Sequence, residues 1–234
     1  MIPKPFSAMI LAAGYGKRLN PLTVNIPKPL IKINKISLLQ NTIDFLFRLN
    51  CNKIVINTHY KSDIINDFIK KNYNHKKIIL LYEKKILDTA GGVKNALSLF
   101  NRQEILVTNS DIFWKEENLT DIVKFIKNYN SHQYCKLLLV PKEKAHGINR
   151  DNGDFVLNKG QVKRWNFNEK NYFYSGLQIL SLRILNDYSY KKFSFNVIWD
   201  DLILKKSLYG SVMNSHWYHV GDKKGLAEAI KSVT

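Results

Sequence analysis

Short apolar runs alternate with amphipathic stretches along the first half of this chain. Phe6 to Ala12 is apolar, short and closed by glycine, the pattern of a buried strand. The stretch "SLLQNTIDFLFRL" (37–49) places Leu39, Ile43 and Leu46 at helical spacing, with Ser37 as its cap. "KIVINT" (53–58) predicts a second strand, and "SDIINDFIKK" (62–71) a helix with Ile64, Ile65 and Phe68 turned inward. A strand at "KIILLYE" (77–83), a helix at "GGVKNALSLF" (91–100) and a strand at "EILVTNSD" (104–111) continue the alternation. The fold class this predicts is α/β, with an open, Rossmann-like, mostly parallel sheet flanked by helices. Ligands of such sheets lie beyond the carboxyl ends of the strands.

From residue 120 the rhythm changes. "LTDIVKFIKNY" (119–129) predicts a helix and "QYCKLLLVP" (133–141) a strand, but "GDFVLNKGQVKRWNF" (153–167) has the pattern of a hairpin turning at Gly160. The strand "YFYSGLQIL" (172–180) follows, then helices at 195–204 and 221–233 around a short strand at "GSVMNS" (210–215). The second half therefore predicts an antiparallel extension forming one wall of a cleft.

With 234 residues and 45% hydrophobic content, the chain can bury the core of a single domain. The formal net charge of +17 would ordinarily point to a polyanionic partner, yet the lysines are scattered. With asparagine and isoleucine also abundant, the charge reads mainly as compositional bias that still favours a phosphorylated small substrate. No zinc finger, RNP aromatic pair or helix-turn-helix pattern supports nucleic acid as the partner. Phe45, Phe47, Phe68 and Phe125 fall at helical spacing and read as core, not as base-stacking platforms. Two cysteines, Cys51 and Cys135, form neither a disulfide framework nor a metal cluster. No window approaches a membrane span and no leader pattern opens the chain, so a soluble cytoplasmic protein is expected.

The candidate chemistry begins in "SAMILAAGYGKRLNPLT" (7–23). Leu11, Ala12, Ala13, Gly14 and Gly16 allow a bound group close to the backbone, whose amides can cradle phosphate oxygens. A dinucleotide fingerprint is not met: "GYGKRL" lacks the third glycine and the prolines that follow forbid a long helix. A P-loop is absent as well. The turn is thus a phosphate site or a plain structural bend; Lys17, Arg18 and Lys28 favour the former, because three neighbouring cations repel unless an anion sits between them.

Asp111 ends a buried strand, where its carboxylate can hold a divalent metal or cap a turn. "LDTAGGVKNAL" offers Thr89, Gly91 and Gly92 as a second close approach, for a nucleobase edge or for a helix cap. "HWYHVGD" gathers His216, His219 and Asp222 as metal ligands, phosphate contacts or loop polar groups.

In their order, "MILAAGYGKRLNPLT", "IPKPLI", "LDTAGGVKNAL", "LVTNSD", "YFYSGLQIL" and "HWYHVGDKKGLAEA" resemble the sugar-1-phosphate nucleotidyltransferases over nearly the whole chain. Within them, the chain looks most similar to the small N-acetylmuramate-1-phosphate uridylyltransferases of peptidoglycan recycling, and also to mannose-1-phosphate guanylyltransferases. The resemblance implies a nucleotide-diphospho-sugar transferase fold: roughly 1–130 would bind nucleoside triphosphate and roughly 131–234 the sugar phosphate. It implies Arg18, Lys28 and Asp111 as catalytic groups. Leu11 to Gly14, Gly16, Lys17, Arg18, Gly91, Gly92 and Asn109 would bind the nucleotide. Lys28, Gly147, Ser175 and Gly176 would hold the sugar phosphate, and Asp111 would hold Mg2+.

Three departures mark this chain. Where relatives place a second metal-binding aspartate in a W-V-D-V-G setting, it has Trp217, Tyr218, His219, Val220 and Gly221. Imidazole is a poorer magnesium ligand than carboxylate, so His219 serves, Asp222 reaches in, or the ion relies on triphosphate and water. Ser110 and Ala90 stand where glycine is common. The Glu-Lys-Pro sugar clamp of larger relatives is missing after "GQVKRWNF", with Lys163 or Arg164 as stand-ins. Rival expectations are a guanylyltransferase using GTP with mannose-1-phosphate, and a nucleotide-binding regulatory protein with a degraded metal site.

Overall fold

Residues 4–73, 76–167 and 169–233 are described by the computed structural model. Strand β1 (Phe6–Leu11) runs into the glycine turn, a 3-10 turn at Lys17–Leu19, the short helix α1 (Leu22–Asn25) and a second 3-10 turn at Lys28–Leu30. A small hairpin of β2 (Lys32–Ile33) and β3 (Ile36–Ser37) feeds α2 (Leu38–Arg48), where the Ser37 hydroxyl accepts from the Gln40 amide and caps the first turn. Then come β4 (Cys51–Thr58), α3 (Ser62–Asn72), β5 (Ile78–Tyr82), α4 (Asp88–Asn95) and β6 (Glu104–Asn109). After β7 (Ile112–Phe113) and α5 (Asn118–Lys127), the chain lays down β8 (Cys135–Pro141), β9 (Ala145–His146), β10 (Phe155–Asn158), β11 (Gln161–Arg164) and β12 (Tyr172–Ser181). It closes with α6 (Phe195–Leu204), β13 (Leu208–Val212), β14 (Trp217–His219) and α7 (Lys223–Lys231).

Nine strands form one mixed sheet in the order β10-β11-β13-β8-β12-β6-β1-β4-β5. The quartet β6, β1, β4 and β5 is parallel, and β12 joins it to the second half by pairing antiparallel with both β6 and β8. The antiparallel extension is therefore part of the same sheet, and the 10–11 hairpin turns at Gly160 as its sequence predicts.

Period-two alternation sends successive side chains to opposite faces, so each parallel strand feeds two cores. On one face Ala8, Ile10, Ile54 and Ile56 pack with Leu39, Ile43 and Leu46 of α2, Ile65 and Ile69 of α3 and Phe125 of α5. On the other, Met9, Val55 and Val107 meet Val93 of α4 and Ile198 and Trp199 of α6. A third cluster, including Leu19, Ile33, Phe113, Tyr218 and Val220, lies beneath the loops at the carboxyl ends and supports a three-stranded sheet in the order β7-β14-β9.

Two elements differ from the periodicity. The buried stripe of α3 is Ile65 and Ile69, with Phe68 partly buried, while Ile64 is exposed. Ile65 and Ile69, four apart, share the face turned to the core, and Ile64, about 100° round the helix, falls outside this narrower stripe. Helix α4 starts at Asp88 and ends at Asn95, with a separate 3-10 turn at Leu97–Leu99. Its two glycines lie inside the helix, where their missing side chains let other segments approach.

Candidate active site

Parallel pairing aligns Leu11 with Asn57 of β4 and with Asn109 of β6, so three strands end side by side. The glycine turn is tied to this row: Ala12 N–H donates to Asn57 Oδ1 at 2.8 Å, Asn57 Nδ2 donates to Glu83 Oε1 at 2.8 Å, and Glu83 Oε2 accepts from Leu87 N–H at 3.0 Å. Asn57 and Glu83 are buried. A cavity of about 430 Å3 opens above, lined among others by Leu11 to Gly14, Gly16, Lys17, Arg18, Lys28, Asn109, Ser110 and Asp111. Lys17 and Arg18 are exposed, and Arg18 has no ion-pair or hydrogen-bond partner among the described residues.

Gly16 fixes the next element. It sits at φ +68°, and a Cβ there would stand 2.8 Å from Lys28 Cβ, so only glycine lets the Lys28–Leu30 turn close over the bend. That turn aims Lys28 at Asp111, Nζ to Oδ2 at 2.7 Å, with both side chains mostly buried. Asp111 follows β6, and its carbonyl accepts from Val220 N–H at 2.8 Å, which brings the end of β14 alongside. His219 Nε2 consequently stands 3.4 Å from the same Oδ2. Burial pushes the Asp111 carboxyl upward, but Lys28 and His219 outweigh it and hold the group well below the usual carboxylate range. Asp111 Oδ1 and His219 Nδ1 are buried with no hydrogen-bond partner.

A second cavity, about 210 Å3, adjoins the first at Asn109. Gly176 and His219 line it, together with Phe155, Trp199, Trp217, Arg150 and Arg164. Arg164 Nε donates to Asp200 at 2.7 Å and its guanidinium lies over Phe155 at 4.9 Å; Arg150 donates to Asp154 at 2.6 Å and lies over Phe173 at 5.1 Å. Residue 168, where a sugar clamp would continue after Phe167, lies outside the described residues.

Not every sequence-derived residue reaches a cavity wall. Gly91 N–H donates to Phe193 O at 3.0 Å, and Gly92 lies against Asn57 and Glu83, so both glycines back the wall and neither forms it. Gly147 N–H donates to Glu228 and its Cα packs on the His219 carbonyl. Ser175 is fully buried; its hydroxyl accepts from Leu177 N–H and its carbonyl from Trp217 Nε1. Asp222 caps α7 by accepting from Gly225 N–H at 2.9 Å, and its other oxygen accepts from Asn149 at 2.7 Å. His216 pairs with His146 at 2.8 Å, away from Asp111.

The sequence reading missed Asn57, Glu83 and Asp88 in the first cavity and Arg150, Asn196 and Trp199 in the second. Asn57 and Glu83 had a usable signal, since one is the last residue but one and the other the last of a predicted buried strand, where Asp111 also lies.

Known proteins share this architecture and sequence. A crystal structure of HddC from Yersinia pseudotuberculosis complexed with GMP-PN superimposes with a TM-score of 0.80 at 24% identity, covering 98% of this chain and 100% of that one. The chain is 28% identical over 232 residues to an N-acetylmuramate alpha-1-phosphate uridylyltransferase of Caulobacter vibrioides, covering 95% of this chain and 94% of that protein. It is 27% identical over 241 residues to a mannose-1-phosphate guanyltransferase beta-A of Xenopus laevis, covering 97% of this chain but 65% of that longer protein. Residues 7–234 match the family model for nucleotidyl transferases, and the chain belongs to that family.

Proposed function

We propose that this protein transfers a nucleotidyl group from a nucleoside triphosphate to a sugar-1-phosphate, releasing pyrophosphate, with UTP and N-acetylmuramate-1-phosphate as its pair. Family membership and relatives that act on sugar-1-phosphates support the reaction class. The observation that carries it is the convergence of Arg18, Lys28 and Asp111 on one cavity at the carboxyl ends of the parallel strands.

The chemistry asks little of proton transfer. A sugar phosphate oxygen is already an anionic nucleophile; it attacks the α-phosphorus as the bond to pyrophosphate breaks, so the protein must align two anions and neutralise them. Arg18, unpaired at the mouth, meets the triphosphate. Lys28 holds an oxygen of the transferred phosphoryl group or of the incoming phosphate. Asp111, kept ionised by Lys28, offers an oxygen to a divalent cation, for which the unpartnered Oδ1 and the adjacent His219 nitrogen are fitting donors. Such an ion, Mg2+ on the resemblance, supplies charge neutralisation at phosphoryl oxygens when bound.

Two arginines at the second cavity support the reading of an acidic sugar. Two guanidiniums flank it beside Asp154; beyond the bonds of Arg150 to Asp154 and Asn152 and of Arg164 to Asp200 and Asn196, each keeps N–H donors that a carboxylate-bearing sugar such as N-acetylmuramate can take. A neutral hexose has no group that needs both. We place the reaction in the cytoplasm, in peptidoglycan recycling.

A pyrophosphate-release assay over a matrix of nucleoside triphosphates and sugar-1-phosphates tests the reading. Turnover is expected above all with UTP and N-acetylmuramate-1-phosphate. Preference for GTP with mannose-1-phosphate would reassign the substrates, and no release from any pair would overturn the reaction.

A further inference from the structure

We propose that His219 supplies a nitrogen ligand to the divalent-cation site at Asp111 and thereby shifts that site's preference away from Mg2+ and towards Mn2+ and Co2+. The inference rests on the metal placement in the proposed function.

Its first support is position. Donors occupying neighbouring corners around one ion at about 2.1 Å lie about 3.0 Å apart, and His219 Nε2 and Asp111 Oδ2 are 3.4 Å apart. That is at the long end of the hydrogen-bond range, so the contact leaves room for an ion to draw both donors in. Asp111 Oδ1 has no hydrogen-bond partner although it is buried, so the carboxylate keeps acceptor capacity that its contacts with Lys28 and His219, both to Oδ2, do not use.

The second support is rigidity. The imidazole stacks on Trp217 with 6° between the ring planes, and a Cβ at Gly221 would lie 2.3 Å from its Cε1. The ring is held between an indole and a bare α-carbon. Nδ1 has no hydrogen-bond partner, so this packing does the orienting that an outer-shell acceptor usually does.

The third is donor chemistry. Mg2+ takes oxygen ligands and keeps several waters, whereas imidazole suits later divalent ions, whose affinity for nitrogen rises along the series. One carboxylate and one imidazole form a mixed set, and the nitrogen contribution sets the ratio between metals.

The test uses the full chain with Mn2+ alone and with Co2+ alone. Pulsed electron paramagnetic resonance of the Mn2+ form is expected to show a 14N coupling from a directly bound histidine, absent in His219→Asp with Mn2+ still bound. In competition titrations the Co2+ to Mg2+ affinity ratio is expected to fall at least tenfold in His219→Asp. Bound Mn2+ without nitrogen coupling in the unaltered protein, no Mn2+ binding, or an unchanged ratio would each overturn the proposal. If His219→Asp does not fold, His219→Asn replaces it, and the unaltered protein's spectrum remains decisive. Pyrophosphate release without a nitrogen ligand would overturn this inference and leave the reaction standing; a nitrogen-ligated metal with no release from any substrate pair would do the reverse.

Discussion

Lys28 Nζ and Asp111 Oδ2 are 2.7 Å apart although 83 residues separate them in the chain. Neither is a local consequence of the other: one is delivered by a turn bracketed by prolines and packed on Gly16, the other by the end of a central strand. Their pairing should be measurable as an energetic coupling. In a double-mutant cycle with Lys28→Met and Asp111→Asn, urea unfolding should show a coupling of about 0.5–3 kcal/mol. Each single variant should also lose about 100-fold or more in turnover. Additive losses in stability would mean that the two groups do not interact in solution.

Arg18 is exposed and has no partner among the described residues, so removing it should leave the fold alone. For Arg18→Gln we expect a stability change within about 0.5 kcal/mol and a fall in kcat of about 10²–10³. A variant that keeps full kcat would remove Arg18 from the transition state.

Gly16→Ala tests the bend from the other side. At φ +68° an L-residue is strained by about 1–3 kcal/mol, and the new methyl would press on Lys28 Cβ. Thermal unfolding should shift down by several degrees and turnover should fall with it. Normal melting with normal turnover would mean that the turn closes without glycine.

The depressed Asp111 pKa predicts an acid dependence of definite sign. An ordinary aspartate in the unfolded chain takes up its proton near about pH 3.9, while folded Asp111 stays ionised below that. The stabilisation is complete above the unfolded value and is lost as pH falls towards the folded one. Urea midpoints of the unaltered protein should therefore drop between pH 5 and pH 3. In Lys28→Met, where the carboxylate loses its main partner, the drop should be smaller; equal drops would assign the acid sensitivity to other groups.

Sugar choice is tested at Arg164. Arg164→Gln should lower kcat/KM for a carboxylate-bearing sugar-1-phosphate by about tenfold or more relative to a neutral hexose-1-phosphate, since a charge-assisted hydrogen bond contributes about 1.5–3 kcal/mol. A parallel loss on both would make Arg164 a support for Phe155 and Trp199, with no part in reading the sugar.

The parallel half was legible because its strands and helices announce themselves by period, and the strand-end rule pointed directly to Asp111. Applied to "KIVINT" and "KIILLYE", the same rule also reaches Asn57 and Glu83. The second cavity was less legible. Arg150 lies in a loop and Arg164 on β11; the hairpin carrying Arg164 was legible at Gly160, but the pairing of β10 with β12 is one no local spacing encodes. Asp222 illustrates the opposite problem: adjacency to His219 suggests a ligand, yet an aspartate three residues before Gly225 at a helix start is also a cap, and that is the bond it makes. Gly91, Gly92, Gly147 and Ser175 stand close to the cavities for packing reasons, which a motif cannot separate from contact with a ligand.

Strand β12 is hydrogen-bonded on one side to β6 of the parallel quartet and on the other to β8. Among the described residues the two halves share one continuous sheet, so the floor of the cleft behaves as one plate. Opening or shutting during turnover is then expected of segments outside that sheet, such as the bend at Gly14–Arg18 and the turn at Lys28–Leu30. On that expectation, stiffening those few residues should throttle product escape without disturbing the floor.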